Sequence, residues 1–134
     1  MARIAGATRV LIVDDEPSIL DLLTEMLSSE GMAVATAQDG EEALARIAEQ
    51  PFDVIISDFR MPRMTGRELY NAACERTPGI GRRFVFISGE MDPVTKREFI
   101  LETGVPVISK PFRAEVVKRV VRETLNAVED GKDG

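Results

Sequence analysis

Three carboxylates, a serine and a lysine each stand at the end of an apolar run. Asp14 and Asp15 close VLIV (10–13), Asp58 follows FDVIIS (52–57), Ser88 ends RFVFIS (83–88) and Lys110 follows VPVIS (105–109). Carboxylates gathered in one crevice repel, and at least one stays protonated unless a cation compensates them. An all-oxygen donor set without histidine or cysteine suits a hard ion such as Mg²⁺, which takes a few carboxylates and keeps other positions for water or phosphate oxygens. A carboxylate can also be the nucleophile that accepts a phosphoryl group. That transfer needs an in-line nucleophile, a metal and a cation for the phosphoryl oxygens. Asp58, Mg²⁺ and Lys110 would supply the three, and Ser88 a hydroxyl donor. Each residue also has a plainer use: Asp14 and Asp15 as helix caps, Asp58 and Ser88 as turn residues, Lys110 as a solvated lysine.

The two views separate on whether the elements bring these residues together. Strand-like and helix-like segments alternate five times. Strands are expected at 9–13, 33–37, 52–57, 83–88 and 105–109. After the first, Ile19, Leu22, Leu23, Met26 and Leu27 line one face of a helix, with Pro17 in its first turn and Gly31 beyond its end. Further helices are expected over 40–50, 67–77, 92–103 and 114–129. Strict alternation with continuous apolar strands implies a parallel sheet covered on both faces. Strands 1, 3 and 4 read as interior, whereas strand 2 is alanine-rich and strand 5 carries Pro106, which suits an edge. The expected fold is therefore an α/β, flavodoxin-like, doubly wound five-stranded parallel sheet of order 2-1-3-4-5 with five helices. Ligands bind such sheets beyond the carboxyl ends of the strands, near the switch point between strands 1 and 3. Asp14, Asp15, Asp58, Ser88 and Lys110 all fall on that rim, and the topology favours one site over five unrelated turns.

Composition narrows the chemistry. The 134 residues fit one domain, and 44% hydrophobic content allows one sizeable core. A net charge of −6 disfavours nucleic acid and anionic membrane as partners. No apolar stretch approaches the roughly 20 residues of a membrane span, and MARIAGATR lacks the apolar centre of a secretion signal. One cysteine, Cys74, excludes an intrachain disulfide, suits a reducing cytoplasm, and belongs on a buried helix face. With no histidine in the chain, histidine metal sites, Ser/His or Cys/His pairs and a phosphohistidine of its own are excluded.

DD at 14–15, SDFRMPRMTG at 57–66, ISG at 87–89 and SKPF at 109–112 closely resemble the receiver domain of two-component response regulators, in order and over roughly residues 9–129. Residues 1–8 and 130–134 are expected to be flexible termini. The resemblance implies a signalling phosphoprotein of the cytoplasm rather than an enzyme, one that assists its own phosphorylation and dephosphorylation. It implies that Asp58 accepts phosphate from a sensor histidine kinase or histidine phosphotransfer protein. Asp15 and Asp58 would hold Mg²⁺ with the Arg60 backbone carbonyl, and Asp14 would help through water. Lys110 would pair with the carboxylate and then the phosphoryl group, across a cis bond to Pro111. Ser88 would turn toward the phosphoryl oxygen and repack a helix 4–strand 5–helix 5 surface, which would carry the output and a possible homodimer.

Several residues depart from the pattern or lie beside it. Val107 stands three before the lysine, where similar domains carry an aromatic switch residue. Arg60 and Glu90, two beyond Asp58 and Ser88, are expected either to form a partial lid or to be an exposed pair of little energetic weight. Glu16 is expected to favour the positive N-terminus of the first helix. Rival readings fit less well. A Mg²⁺-dependent phosphatase with an Asp nucleophile would carry Asp-x-Asp after strand 1, where residue 16 is Glu. A pseudo-receiver would lack an acid or the lysine, and a flavin carrier would want aromatic and phosphate-cradling loops, whereas this chain has no Trp and only Tyr70.

Overall fold

In a computed structural model, residues 7–130 are described, with side chains to Val128. Of the termini expected to be flexible, 1–8 and 130–134, residues 1–6 and 131–134 lie outside the described residues. Thr8 is held at the sheet, its carbonyl accepting the Ala33 N–H at 2.8 Å.

Five parallel strands, β1 (Arg9–Val13), β2 (Ala33–Ala37), β3 (Val54–Asp58), β4 (Phe84–Ser88) and β5 (Val107–Ser109), pair in the order β2-β1-β3-β4-β5. The alternation of side chains along a strand sorts the core into two layers. Val10, Ile12, Val54, Ile56, Val85 and Ile87 face helices α1 (Pro17–Ser28) and α5 (Ala114–Asp130), where Leu20, Leu23, Leu27, Val117 and Val121 bury against them. Leu11, Val13, Ile55, Phe84 and Phe86 face α2 (Gly40–Glu49), α3 (Gly66–Arg76) and α4 (Pro93–Thr103) through Ala43, Leu44, Leu69, Ala73 and Phe99. Both faces of the interior strands are thus covered, which is why they read as unbroken apolar runs.

The helix starts are specified locally. Asp39 and Asp92 accept N–H bonds from Glu42 and Thr95, and Thr65 and Glu68 form a reciprocal capping box at α3. Four strand boundaries differ from expectation, the end of β3 among them, since Asp58 is its last residue. β3 begins at Val54 because the Asp53 carboxylate accepts the Arg9 N–H at 2.8 Å, putting a side chain where a ladder carbonyl would stand. Arg83 belongs to a 3₁₀ turn over Ile80–Arg83 rather than to β4. β5 begins after Pro106, which has no N–H for the ladder although its carbonyl accepts from Phe86 N at 2.9 Å. Cys74, expected to be buried, is only half-buried on α3, where it hydrogen-bonds with Tyr70.

Candidate functional site

The carboxyl ends of β1, β3, β4 and β5 carry the predicted residues to one rim. Beyond β1, Asp14 N donates to Ala37 O of β2 at 3.1 Å, and its carboxylate Oδ1 accepts the Glu16 N–H at 2.8 Å. Asp14 is therefore held in a turn of its own making and lies buried, 2% exposed. Asp58 is the last residue of β3, in register with Ile87 of β4. Its backbone is further held by Ser57 Oγ, which donates to Asp58 O at 2.9 Å, and by Phe59 N, which donates to Ile87 O at 2.9 Å. Ser88 is buried opposite Ser109, and Lys110 N donates to Ser88 O at 2.9 Å just before the cis Lys110–Pro111 bond.

Ligand oxygens of Asp14, Asp15 and Asp58 lie within 4.8 Å of one another, the first and last buried and Asp15 exposed. Lys110 Nζ reaches into the group, 3.7 Å from Asp58 Oδ1 and 3.8 Å from Asp14 Oδ2. Both distances exceed a direct hydrogen bond, and Glu16 Oε1 stands at 3.9 Å, so one ammonium is shared by three acids without being committed to any. Burial pushes the Asp14 carboxyl up to about 6, with repulsion from Asp58 adding to it and the Glu16 N–H and Lys110 opposing. Burial likewise raises Asp58, against the pull of Lys110. Two buried acids driven toward protonation beside a third acid and one lysine form a crevice short of positive charge. That donor set, oxygen only and open to solvent at Asp15, fits a hard divalent cation.

The rim needs close backbone approach as well as charge. A Cβ on Gly66 would stand 2.6 Å from Asp58 O and 2.9 Å from Phe59 Cα, so the start of α3 can lie against the end of β3 only with glycine there. Phe59 stands edge-on to Phe86 and Phe99 at 5.3 Å, joining the residue after Asp58 to α4. Val107 pairs with Phe86 and packs in the same cluster.

Other expectations fared unevenly. Arg60 N donates to Asp58 Oδ1 at a long 3.5 Å, and its guanidinium stands 3.7 Å from Glu90, both side chains 73% exposed. Glu16 occupies the N-cap position of α1 but makes no side-chain cap; its carboxylate lies 3.9 Å from Lys110 Nζ. Asp14 accepts the backbone N–H of Glu16, and the Glu16 side chain lies toward the lysine. That contact, and an ion pair between Arg63 and Asp39 at 3.0 Å, escaped the sequence reading because neither pair interrupts an apolar run.

Comparison with known proteins agrees with the geometry. The chain is 29% identical over 126 residues to a probable chemotaxis protein CheY of Rhizobium etli, covering 93% of this chain and 98% of that one. It superposes on chemotaxis protein CheY4 of Vibrio cholerae with a TM-score of 0.80 at 35% identity, covering 90% of this chain and all of the other. It is 41% identical over 71 residues to the transcriptional regulatory protein GlrR of Escherichia coli, a match of 53% of this chain and 16% of that protein's length. A family model described as the response regulator receiver domain matches residues 10–122. Parallel strands in the order 2-1-3-4-5, acids at the rim between β1 and β3, and a match over most of its length together place this chain in the response regulator receiver domain family, a family of two-component signalling domains.

Proposed function

We propose that this receiver accepts a phosphoryl group on Asp58 from a phosphohistidine of a sensor histidine kinase or histidine phosphotransfer protein. The observation that carries the reading is the joint delivery of Asp14, Asp15 and Asp58 within 4.8 Å, with Lys110 Nζ 3.7 Å from Asp58. A carboxylate oxygen of Asp58 attacks phosphorus as the P–N bond to the donor imidazole breaks, and the leaving nitrogen keeps the electron pair. When bound, Mg²⁺ supplies neutralisation of the charge on the phosphoryl oxygens. Asp15, Asp58 and the Arg60 carbonyl would hold it, with Asp14 acting through water. Lys110 releases its partial hold on Asp58 and pairs with a phosphoryl oxygen. Ser88 turns its hydroxyl to donate to another.

These movements load β4 and β5, and the output surface is α4–β5–α5, which also serves any homodimer. With Val107 in place of a ring, that surface responds without an aromatic swing. The site acts in the cytoplasm and binds no nucleic acid. Phosphorylation by a small acyl phosphate with Mg²⁺, followed by intact mass, tests the reading. One phosphoryl group should be gained, none with chelator, and Lys110→Ala should gain it about tenfold or more slowly. A chain that takes phosphate equally well in chelator contradicts the metal assignment.

A further inference from the structure

We propose that a two-point clasp between α2 and the β3–α3 loop positions the Arg60 carbonyl for Mg²⁺, which makes Arg63 and Asp39 positioning residues; the inference rests on the metal reading above. The loop joining Asp58 to α3 turns through Arg63 at φ 69°, a left-handed conformation that L side chains rarely adopt. Arg63 Nη2 donates to Asp39 Oδ2 at 3.0 Å. The other oxygen of Asp39 accepts the Glu42 N–H at 2.8 Å, so helix α2 holds the carboxylate in place. The next residue on each side forms the second point. Met64 fills the space over Gly40, where a Cβ would stand 2.4 Å from its sulfur and 2.8 Å from its Cγ. Residues 39 and 40 thus mate with residues 63 and 64.

The segment being clasped is itself tied to the acids. Asp14 N donates to Ala37 O, two residues before Asp39. Asp14, Ala37, Asp39, Arg63 and Asp58 are therefore linked through backbone and side chains, the pairing of Val13 with Ser57 closes the circuit from β3 to β1, and Arg60 lies on the arc between Asp58 and Arg63. Opening the circuit at Arg63 loosens the loop, leaving Met64 over Gly40 and the bond from Gly66 N to Phe59 O to hold it, without removing any group that touches metal or phosphate. Arg63 is 78% exposed, so no core contact is lost with it.

Arg63→Gly deletes the ion pair and relieves the left-handed backbone together, which separates positioning from stability. Calorimetric titration of the whole unphosphorylated chain with MgCl₂ should give a dissociation constant raised about two- to fivefold, as for loss of an exposed ion pair. The thermal midpoint should hold or rise. In phosphorylation by an acyl phosphate, the Mg²⁺ needed for half-maximal rate should rise by the same factor while the rate at saturating Mg²⁺ stays that of wild type. Arg63→Lys should recover part of the affinity, and Asp39→Asn combined with Arg63→Gly should be no weaker than the worse single variant. Wild-type Mg²⁺ affinity in Arg63→Gly, or losses that simply add in the double variant, overturns the clasp. A wild-type chain that binds no Mg²⁺ overturns the metal reading and the clasp with it.

Discussion

Asp14 is buried in the crevice, its carboxylate 3.8 Å from Lys110 Nζ. Its carboxyl, lifted by burial from 3.8 to about 6, binds a proton more tightly in the folded chain than in the unfolded one. Between those two values the unfolded state has released a proton that the folded state still holds, so stability falls as pH rises. The penalty is complete above the folded value. Asp58 shifts the same way. Asp14→Asn should therefore stabilise the metal-free protein by about 2 kcal/mol at pH near 7.5, with the gain shrinking toward pH of about 4.5. Urea unfolding in chelator measures it, and an equal gain at both pH values would count against the burial argument. At this scale the sequence was legible wherever an acid or a lysine ended an apolar run. Asp39–Arg63 and Glu16–Lys110 were not, since partners 24 and 94 positions apart are joined only by loops that local pattern does not describe.

The elements position these residues through their ends. β3 ends on Asp58 within the ladder, so this carboxylate inherits the stiffness of a central strand, while α3 begins against its carbonyl at Gly66. Gly66→Ala should force that carbonyl aside, cost about 1–3 kcal/mol, and slow phosphorylation of Asp58. Thermal unfolding and the rate of acyl-phosphate labelling give the two readings. A stable variant with a wild-type rate would mean that the rim tolerates a wider approach. The alternation of strands and helices was readable because their apolar periods differ, and the caps at Asp39, Thr65 and Asp92 are local chemistry. Boundaries slipped where a side chain or a proline replaces a ladder bond, at Asp53 and Pro106, and where PGIGRR hides the 3₁₀ turn.

Across the whole molecule, strand order was legible from relative apolarity, because β1, β3 and β4, each paired on both sides, are the unbroken apolar runs, while alanine-rich β2 and Pro106 before β5 mark the edges. That order gathers Asp14, Asp15, Asp58, Ser88 and Lys110 from four strands at one rim, so metal binding should stabilise the fold as a unit. Mg²⁺ at a hundred times its dissociation constant should stabilise the chain by about 2.7 kcal/mol. A higher thermal midpoint should follow, one that Asp15→Ala diminishes. Among the described residues no helix is long and apolar enough to cross a membrane, and α4 leaves Val94 and Leu101 exposed beside β5. The most direct test of the account is chemical. After phosphorylation with an acyl phosphate and Mg²⁺, borohydride reduces an aspartyl phosphate to homoserine, and peptide mass spectrometry locates it. The account predicts homoserine at position 58 alone, abolished in Asp58→Asn; homoserine at Asp14 or Asp15, or none at any acid of a chain that has gained phosphate, would contradict it.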